Sequence, residues 1–581
     1  MRASRTAIFA GTALLILVTP LIFWTFTEDV FLLSKTVFVL AVGAPLIAVH
    51  FHARLRWRGH LGAVRLGAVR PHQPAWMPAA LALFAIEGLA FSRVPALSVA
   101  AALPFAVAAG FFLVVAGTAW TEKERRALLI LVCLAALANS VYGIVAYFGS
   151  DVIFGGIPRL AETADERKVI RGFLGHADFV GAYLAIVLPL MGGFFLAERK
   201  PLFKIFTLAA AALTLSALLL TMTRASWLAT AAAGGFFALC LSVRGGWKFL
   251  LKISAAGTAI LVVFFLFFSA FGVSGGETLL TRLFTVPDVR YGANAGRLTF
   301  WGTALTAWQH RPATGHGMGT FPYFFPKFQP EFIARRGEEL GLRPAMNVTH
   351  AHNDYLQAAA ENGAAGLLLI GAVAVGVFLK GFRRVLRGER RSAFLAAGCM
   401  AALVAALVDA VFMFPFRLAA TGVCIAFAAG LILSPDEEGG GPAREAGERM
   451  KPWAAAVVLY VAVAAAAVGL IYYSAGRAVA ANALMLHAPD GPYIERLRRA
   501  RELNPYDGRI SFRIGSELFF AGNHEEALKE FKRAEKLHDS PALHAYESLT
   551  YVRLGDEEKA RAEAKLATDN GFPPHRVRLP R

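Results

Sequence analysis

Charge is scarce in this chain. Only 17% of its 581 residues are Asp, Glu, Lys or Arg, where soluble domains carry about a quarter, and the shortfall excludes an ordinary soluble fold. Cysteine is nearly absent. Cys133, Cys240, Cys399 and Cys424 all lie in apolar runs and form no C-x-x-C pair, so they read as small buried hydrophobes and say nothing about redox compartment. No D-x-D pair occurs, which leaves a metal-held nucleotide-sugar site unsupported. No G-x-x-x-x-G-K-[ST] loop occurs, so ATP is not an evident energy source. No small-x-small cleavage site closely follows Met1-Arg-Ala-Ser-Arg5, and the first apolar run reads as a retained helix. The net charge of +18 suggests nucleic acid. No basic stripe interleaves with aromatics as strand-binding grooves require, so that partner is set aside.

What the chain has in quantity is apolar length. It is 56% hydrophobic, with a mean hydropathy of +0.51. Runs of about 20 residues, enough to cross a hydrocarbon core, are expected at 7–26, 30–50, 77–92, 97–119, 127–148, 177–197, 203–222, 225–243, 249–271, 356–379, 393–413, 416–434 and 452–473. The fold class predicted is all-α: a polytopic membrane protein of 12–13 transmembrane helices. Every second loop is short and basic, from Arg2 and Arg5 through Lys123, Arg125 and Arg126 to the dense group at 380–391. Basic loops mark the cytoplasmic side, so the N-terminus is expected inside and the C-terminus outside. The domains follow: a body over 1–434 with a large outer loop at 272–355, a cytoplasmic linker at 435–451, a last membrane helix at 452–473, and an outer tail at 474–581. In the tail Ala527, Phe531 and Ala534 recur as Ala560, Ala564 and Ala567, a spacing of 560 − 527 = 33. This resembles tetratricopeptide repeats, whose period is about 34; such arrays bind partners. An ordinary array of amphipathic helical hairpins is the plainer reading.

Polar chemistry gathers on the outer side. Thr349-His-Ala-His-Asn-Asp-Tyr-Leu-Gln357 runs into an apolar span and puts His350 and His352 at its lip. Imidazoles exchange protons near neutral pH, so a general base is the favoured reading. Structural interfacial histidines are the alternative. A metal site lacks ligands, Asp354 being the one near candidate. Glu361, further along the same span, is the other acid or base in reach. Arg224 lies at an outer helix end with Thr221, Thr223 and Ser226. Arginine at a membrane span is expensive, and its fork beside hydroxyls suits a diphosphate better than it suits an anchor. Arg171, Arg297 and Arg417, in Met413-Phe-Pro-Phe-Arg417, are further candidates. An outer site without nucleotide must use a substrate already activated, and a glycan on a polyprenyl diphosphate is one.

These segments resemble the O-antigen ligase/polymerase family. The likeness rests on Thr349-His-Ala-His-Asn-Asp-Tyr-Leu-Gln with Glu361-Asn-Gly363, on Arg297…Trp301…Arg311-Pro…Gly315-His-Gly-Met-Gly-Thr-Phe321, on Thr221-Met-Thr-Arg-Ala-Ser-Trp227, and on Arg171-Gly-Phe-Leu-Gly-His-Ala-Asp-Phe179. It covers roughly residues 80–434. The last motif departs at Asp178, where the family commonly has Asn. The resemblance implies a metal-independent, inverting glycosyl transfer at the periplasmic face of a bacterial inner membrane, without a cofactor. Arg224, Arg171 and Arg297 would hold the diphosphate of an undecaprenyl-linked glycan. His352 would activate the acceptor hydroxyl of a glycan, a lipid A core or a protein. The family includes ligases, polymerases and protein O-oligosaccharyltransferases, which the signature does not separate. A transporter of lipid-linked sugars and a scaffold built around the tail stay open beside it. The transporter reading is disfavoured because the mid-span polar residues Glu87, Asn139 and Asp409 look isolated, where a transport path needs a polar midplane.

Overall fold

The computed structural model describes residues 2–59, 76–149, 169–243, 292–346, 348–435, 475–486 and 493–573, with isolated positions between them. The spans expected at 249–271 and 452–473, the linker from 436 and the start of the outer loop, 272–291, lie outside the described residues. Those described form helices and no strand.

Eight described helices are long and apolar enough to cross a membrane. They are α2 (Leu32–Gly59), α4 (Pro95–Gly117), α5 (Glu122–Phe148), α6 (Ala177–Ala197), α7 (Pro201–Leu220), α8 (Arg224–Val243), α11 (Asp354–Arg387) and α12 (Arg390–Asp409). Three shorter apolar helices, α1 (Arg2–Val18), α3 (Trp76–Ala90) and α13 (Ala419–Leu433), complete the body. Two polar helices, α9 (Gly292–His310) and α10 (Phe321–Leu340), lie between α8 and α11. The chain is a polytopic membrane protein. Helices α6 and α12 are its centre. A Cβ on Gly398 would stand 2.7 Å from Gly193 Cα, so the two backbones cross where neither has a side chain. Without a hydrophobic drive between helices in lipid, such close approach is what packs them.

The connections separate into two faces. On one, Arg5 pairs with Glu124, Arg126 with Glu198, and Arg391 with Glu122. Thr121 and Glu124 also form a capping box that starts α5 there. On the other lie the α1–α2 turn, the 169–176 loop, the α7–α8 turn, α9, α10 and the α12–α13 turn. Lys35 donates to Phe173 O at 2.9 Å, and Ile170 N–H to Leu220 O at 3.4 Å. This division follows the alternation of basic loops.

Helix α11 breaks at Gly363, whose φ of 61° interrupts it nine residues after Asp354. The backbone groups freed there are met by the segment before α10. His316 N–H donates to Ala360 O at 3.0 Å, Gly317 N–H to Glu361 O at 2.8 Å, and Ala364 N–H to Pro312 O at 2.8 Å. A Cβ on Gly315 would strike the Glu361 carbonyl at 2.4 Å, and one on Gly363 the Ala313 carbonyl at 2.3 Å. The Gly-His-Gly-Met-Gly sequence is therefore a clasp. It satisfies a broken helix where water is scarce.

The described tail is a helix at 475–484 (α14), then α15 (Tyr493–Leu503), α16 (Gly508–Phe520), α17 (His524–Glu535), α18 (Pro541–Leu554) and α19 (Glu557–Asp569). Helices α16 and α17, and α18 and α19, pair as hairpins. Ala527, Phe531 and Ala534 on α17 and Ala560, Ala564 and Ala567 on α19 are buried. The hairpin turns repeat too: Gly522 and Gly555 have φ of 85° and 80°, and 555 − 522 = 33. The tail rests on the α1–α2 turn and on α10. Asp29 N–H donates to Asn482 Oδ1 at 3.1 Å, Arg513 pairs with Glu28, and Gln329 on α10 donates to Asn570 Oδ1 at 3.1 Å.

Candidate active site

The histidine segment runs without regular secondary structure to the Asn353 cap of α11, whose side chain accepts from Leu356 N–H at 2.9 Å. His350 stacks on Phe414, with ring centroids 4.1 Å apart, and receives a weak 3.5 Å bond from Gln357. His352 lies over Phe300 at 5.6 Å and meets Phe414 edge-on at 5.2 Å. Trp301 Nε1 donates to the His352 carbonyl at 3.3 Å. Buried among these rings, His352 Nδ1 has no hydrogen-bond partner among the described residues. Such an orphan is a place for a ligand.

Burial pushes the His352 imidazole down to about 4, assisted by the Arg297 charge and opposed by Asp178. Burial and the Arg417 charge push His350 further, to about 3. Both rings are thus neutral near pH 7, and the lone pair of His350 accepts the Gln357 bond. His316, in the clasp, is likewise held at about 4 by burial, and its Nε2 bonds Ala307 O at 2.9 Å.

Two residues outside the glycines hold left-handed backbone among those described: Met222 (φ 56°) and His352 (φ 50°). Each such residue costs about 1–3 kcal/mol. One precedes the Arg224 turn and the other is the candidate base, so backbone strain marks both halves of the site. In the turn, Thr223 Oγ1 donates to Asp178 Oδ1 at 3.1 Å and Ser226 Oγ to Asp409 Oδ1 at 3.0 Å. Arg224 is half-buried at the first position of α8, where backbone N–H groups and the helix dipole favour an anion. Arg171 opens a short turn of 3-10 helix, Gly172–Leu174, held by Asn139, whose Oδ1 accepts from Phe173 N–H at 3.1 Å. Arg297, on α9, has no hydrogen bond or ion pair among the described residues, yet its charge acts on both His352 and Asp409.

Glu361 and Arg417 depart from what their sequence suggests. Arg417 donates Nε to Asp354 and Nη1 to Glu361, both at 2.9 Å. Burial opposes its charge, but Glu361 and Asp354 hold its pKa above the ordinary value. Glu361 is fully buried; its second oxygen accepts from Gln357 at 2.9 Å and Phe321 N–H at 3.4 Å. A carboxylate committed in this way is no free base, and a guanidinium answered by two carboxylates is no open anion site. The isolation expected of the mid-span polar residues is also corrected. Glu87 accepts from Asn362 at 3.0 Å, Asn139 holds the 169–176 loop, and Asp409 holds Ser226. Asp409 Oδ2 stays unpartnered among the described residues. Sequence reasoning named Trp301 in the family-like motif but gave no role to Phe300 and Phe414. Their only signal was aromatic density near helix ends.

One group of metal-ligand types occurs among the described residues, His544, Glu547 and Glu563 in the tail. Lys532 Nζ already stands 3.1 Å from Glu547 and 3.0 Å from Glu563, so the group is an ion-pair brace between repeating hairpins.

Residues 209–371 match the family model described as O-antigen ligase. The match takes in Arg224, Arg297, His350, His352 and Glu361, while Arg171 and Arg417 fall outside it. No curated protein matches the chain.

Proposed function

We propose, from the match of residues 209–371 to the O-antigen ligase family model, that the chain moves a glycan from undecaprenyl diphosphate to an acceptor hydroxyl at the periplasmic face of a bacterial inner membrane. The observation that supports this reading is the pocket itself. His352 Nδ1, without a hydrogen-bond partner among the described residues, lies within the field of Arg297, and the start of α8 carries Arg224.

His352 takes the proton of the acceptor hydroxyl as the oxygen attacks the anomeric carbon. The C–O bond to the diphosphate breaks on the opposite side, which inverts the centre. Arg297, Arg224 and Arg171 stabilise the charge that develops on the leaving diphosphate. The donor's own negative charge raises the basicity of His352 on binding, which offsets the depression caused by burial. His350 supports Phe414 and the histidine segment. Arg417, Asp354 and Glu361 form the scaffold that holds the start of α11. The tail is a tetratricopeptide-like array that recruits a protein partner or guides the glycan. No step calls for a metal or cofactor.

The test is purified protein with an undecaprenyl-diphosphate glycan alone. Lengthened lipid-linked glycan identifies a polymerase. Transfer only when lipid A core or a protein is added identifies a ligase or a protein glycosyltransferase. No transfer with any of the three acceptors sinks the proposal, and arrival of intact donor across a vesicle bilayer would favour a transporter.

A further inference from the structure

Asp178 is a charged residue of this pocket that the transfer reaction leaves without a task. It stands in the first turn of α6, where its backbone N–H is capped by His176 Nδ1 at 3.2 Å. Its side chain reaches α8, accepting from Thr223 Oγ1 at 3.1 Å. Thr223 lies between the left-handed Met222 and Arg224, so this bond holds the turn that presents the arginine. The next residue, Phe179, meets Phe414 edge-on with centroids 5.7 Å apart, and Phe414 is the ring that both His350 and His352 pack against. One helix start therefore touches the arginine turn on one side and the histidine pocket on the other.

We propose that Asp178 is a positioning residue that couples these two halves: its oxygen holds the Arg224 turn, and its charge sets the field in which His352 works. The proposal rests on the reading of His352 as the base. The charged groups around that imidazole are few. Arg297 comes from α9, His176 and Asp178 from α6, and His350 from the same segment. Asp409, from α12, stands beside Asp178 and Arg297 and bonds Ser226 in the same turn. Arg297 and the neighbouring imidazoles oppose a proton on His352, whereas Asp178 favours one. The same negative charge repels an incoming diphosphate. Asp178 thus trades donor affinity for a stronger base.

Two substitutions separate charge from hydrogen bond. Asp178→Asn keeps an oxygen for Thr223 and removes the charge. Thr223→Val keeps the charge and removes the bond. The His352 titration is read directly in the full-length protein by deuterium exchange at its imidazole C2 carbon, followed by mass spectrometry, alongside the pH profile of transfer. For Asp178→Asn we expect the His352 titration and the acid limb of kcat/KM to move together to lower pH by about one unit. We also expect kcat to fall and the KM for donor to drop about fivefold. For Thr223→Val we expect kcat to fall with the titration unmoved. Where the Asn variant inserts poorly, Asp178→Ser is a second uncharged variant, and Thr223→Val is its control for the lost bond. An unmoved His352 titration in the uncharged variants overturns the coupling. So does an equal shift in Thr223→Val, because geometry rather than charge would then be at work. A shifted titration with an unmoved acid limb keeps the coupling and removes His352 as the base.

Discussion

His316, His350 and His352 sit at helix ends on one face of the membrane body, and His544 sits inside the tail. The first three pack on phenylalanines: His316 on Phe324 and Phe328, His350 on Phe414, His352 on Phe300. Burial drives them to about 4, 3 and 4. His544 is just as enclosed, yet Asp539 and Glu563 bond its two nitrogens at 2.9 and 2.8 Å. Burial works against its proton, but those bonds and Glu547 raise it to about 11. An imidazole in aromatic surroundings is a neutral base; one among carboxylates is a fixed cation. The first kind can do proton chemistry near pH 7, and the second can only brace.

The largest effect that sharpens this contrast is at His352. His352→Ala should lower transfer by about 10²–10⁴-fold while labelled donor still binds. His544→Ala should leave the rate per folded molecule unchanged. Equal losses in the two variants would break the comparison. Next comes the paired arginine. Removing one partner of a buried ion pair costs about 3–5 kcal/mol, so Glu361→Gln should lower the melting temperature in detergent markedly. An unchanged melt would mean that Glu361 is not scaffold.

The smallest effect is in pH. The three body histidines have folded pKa values below the ordinary 6.5. Their unfolded forms bind more protons, so their contribution is complete above 6.5 and is lost as pH falls toward about 4. His544 has the opposite sign. Its contribution is complete below 6.5 and is lost only as pH rises through about 11. Hydrogen exchange at about pH 5 should therefore show lost protection around 312–363 before any loss in α18 and α19. The reverse order would invert the argument.

The membrane fold was legible because a span is a local property. About twenty apolar residues in a row announce a helix whatever surrounds it. The break in α11 was not. Glu361-Asn-Gly363 is a polar step with a turn dipeptide at the start of a long apolar run, and only the clasp from 312–317 shows why the helix can stop there. Glu87 and Asp409 looked isolated because their partners, Asn362 and Ser226, lie 275 and 183 residues away. The left-handed φ of His352 had no sequence signal, since few non-glycine residues adopt it and no local pattern says which.

By itself the sequence determined that the chain lives in a membrane, which of its loops share a face, and that arginine and histidine gather on one of them. Those conclusions rest on composition and on periodicities a few residues long. Which arginines keep their charge available was decided only by the tertiary structure. Arg417 and Arg297 are alike as residue types. Arg417 meets Asp354 and Glu361, the latter 56 residues away along the chain, and is neutralised, whereas Arg297 meets no carboxylate among the described residues. An ion pair forms between side chains that the fold brings within a few ångströms, and no local pattern encodes that distance.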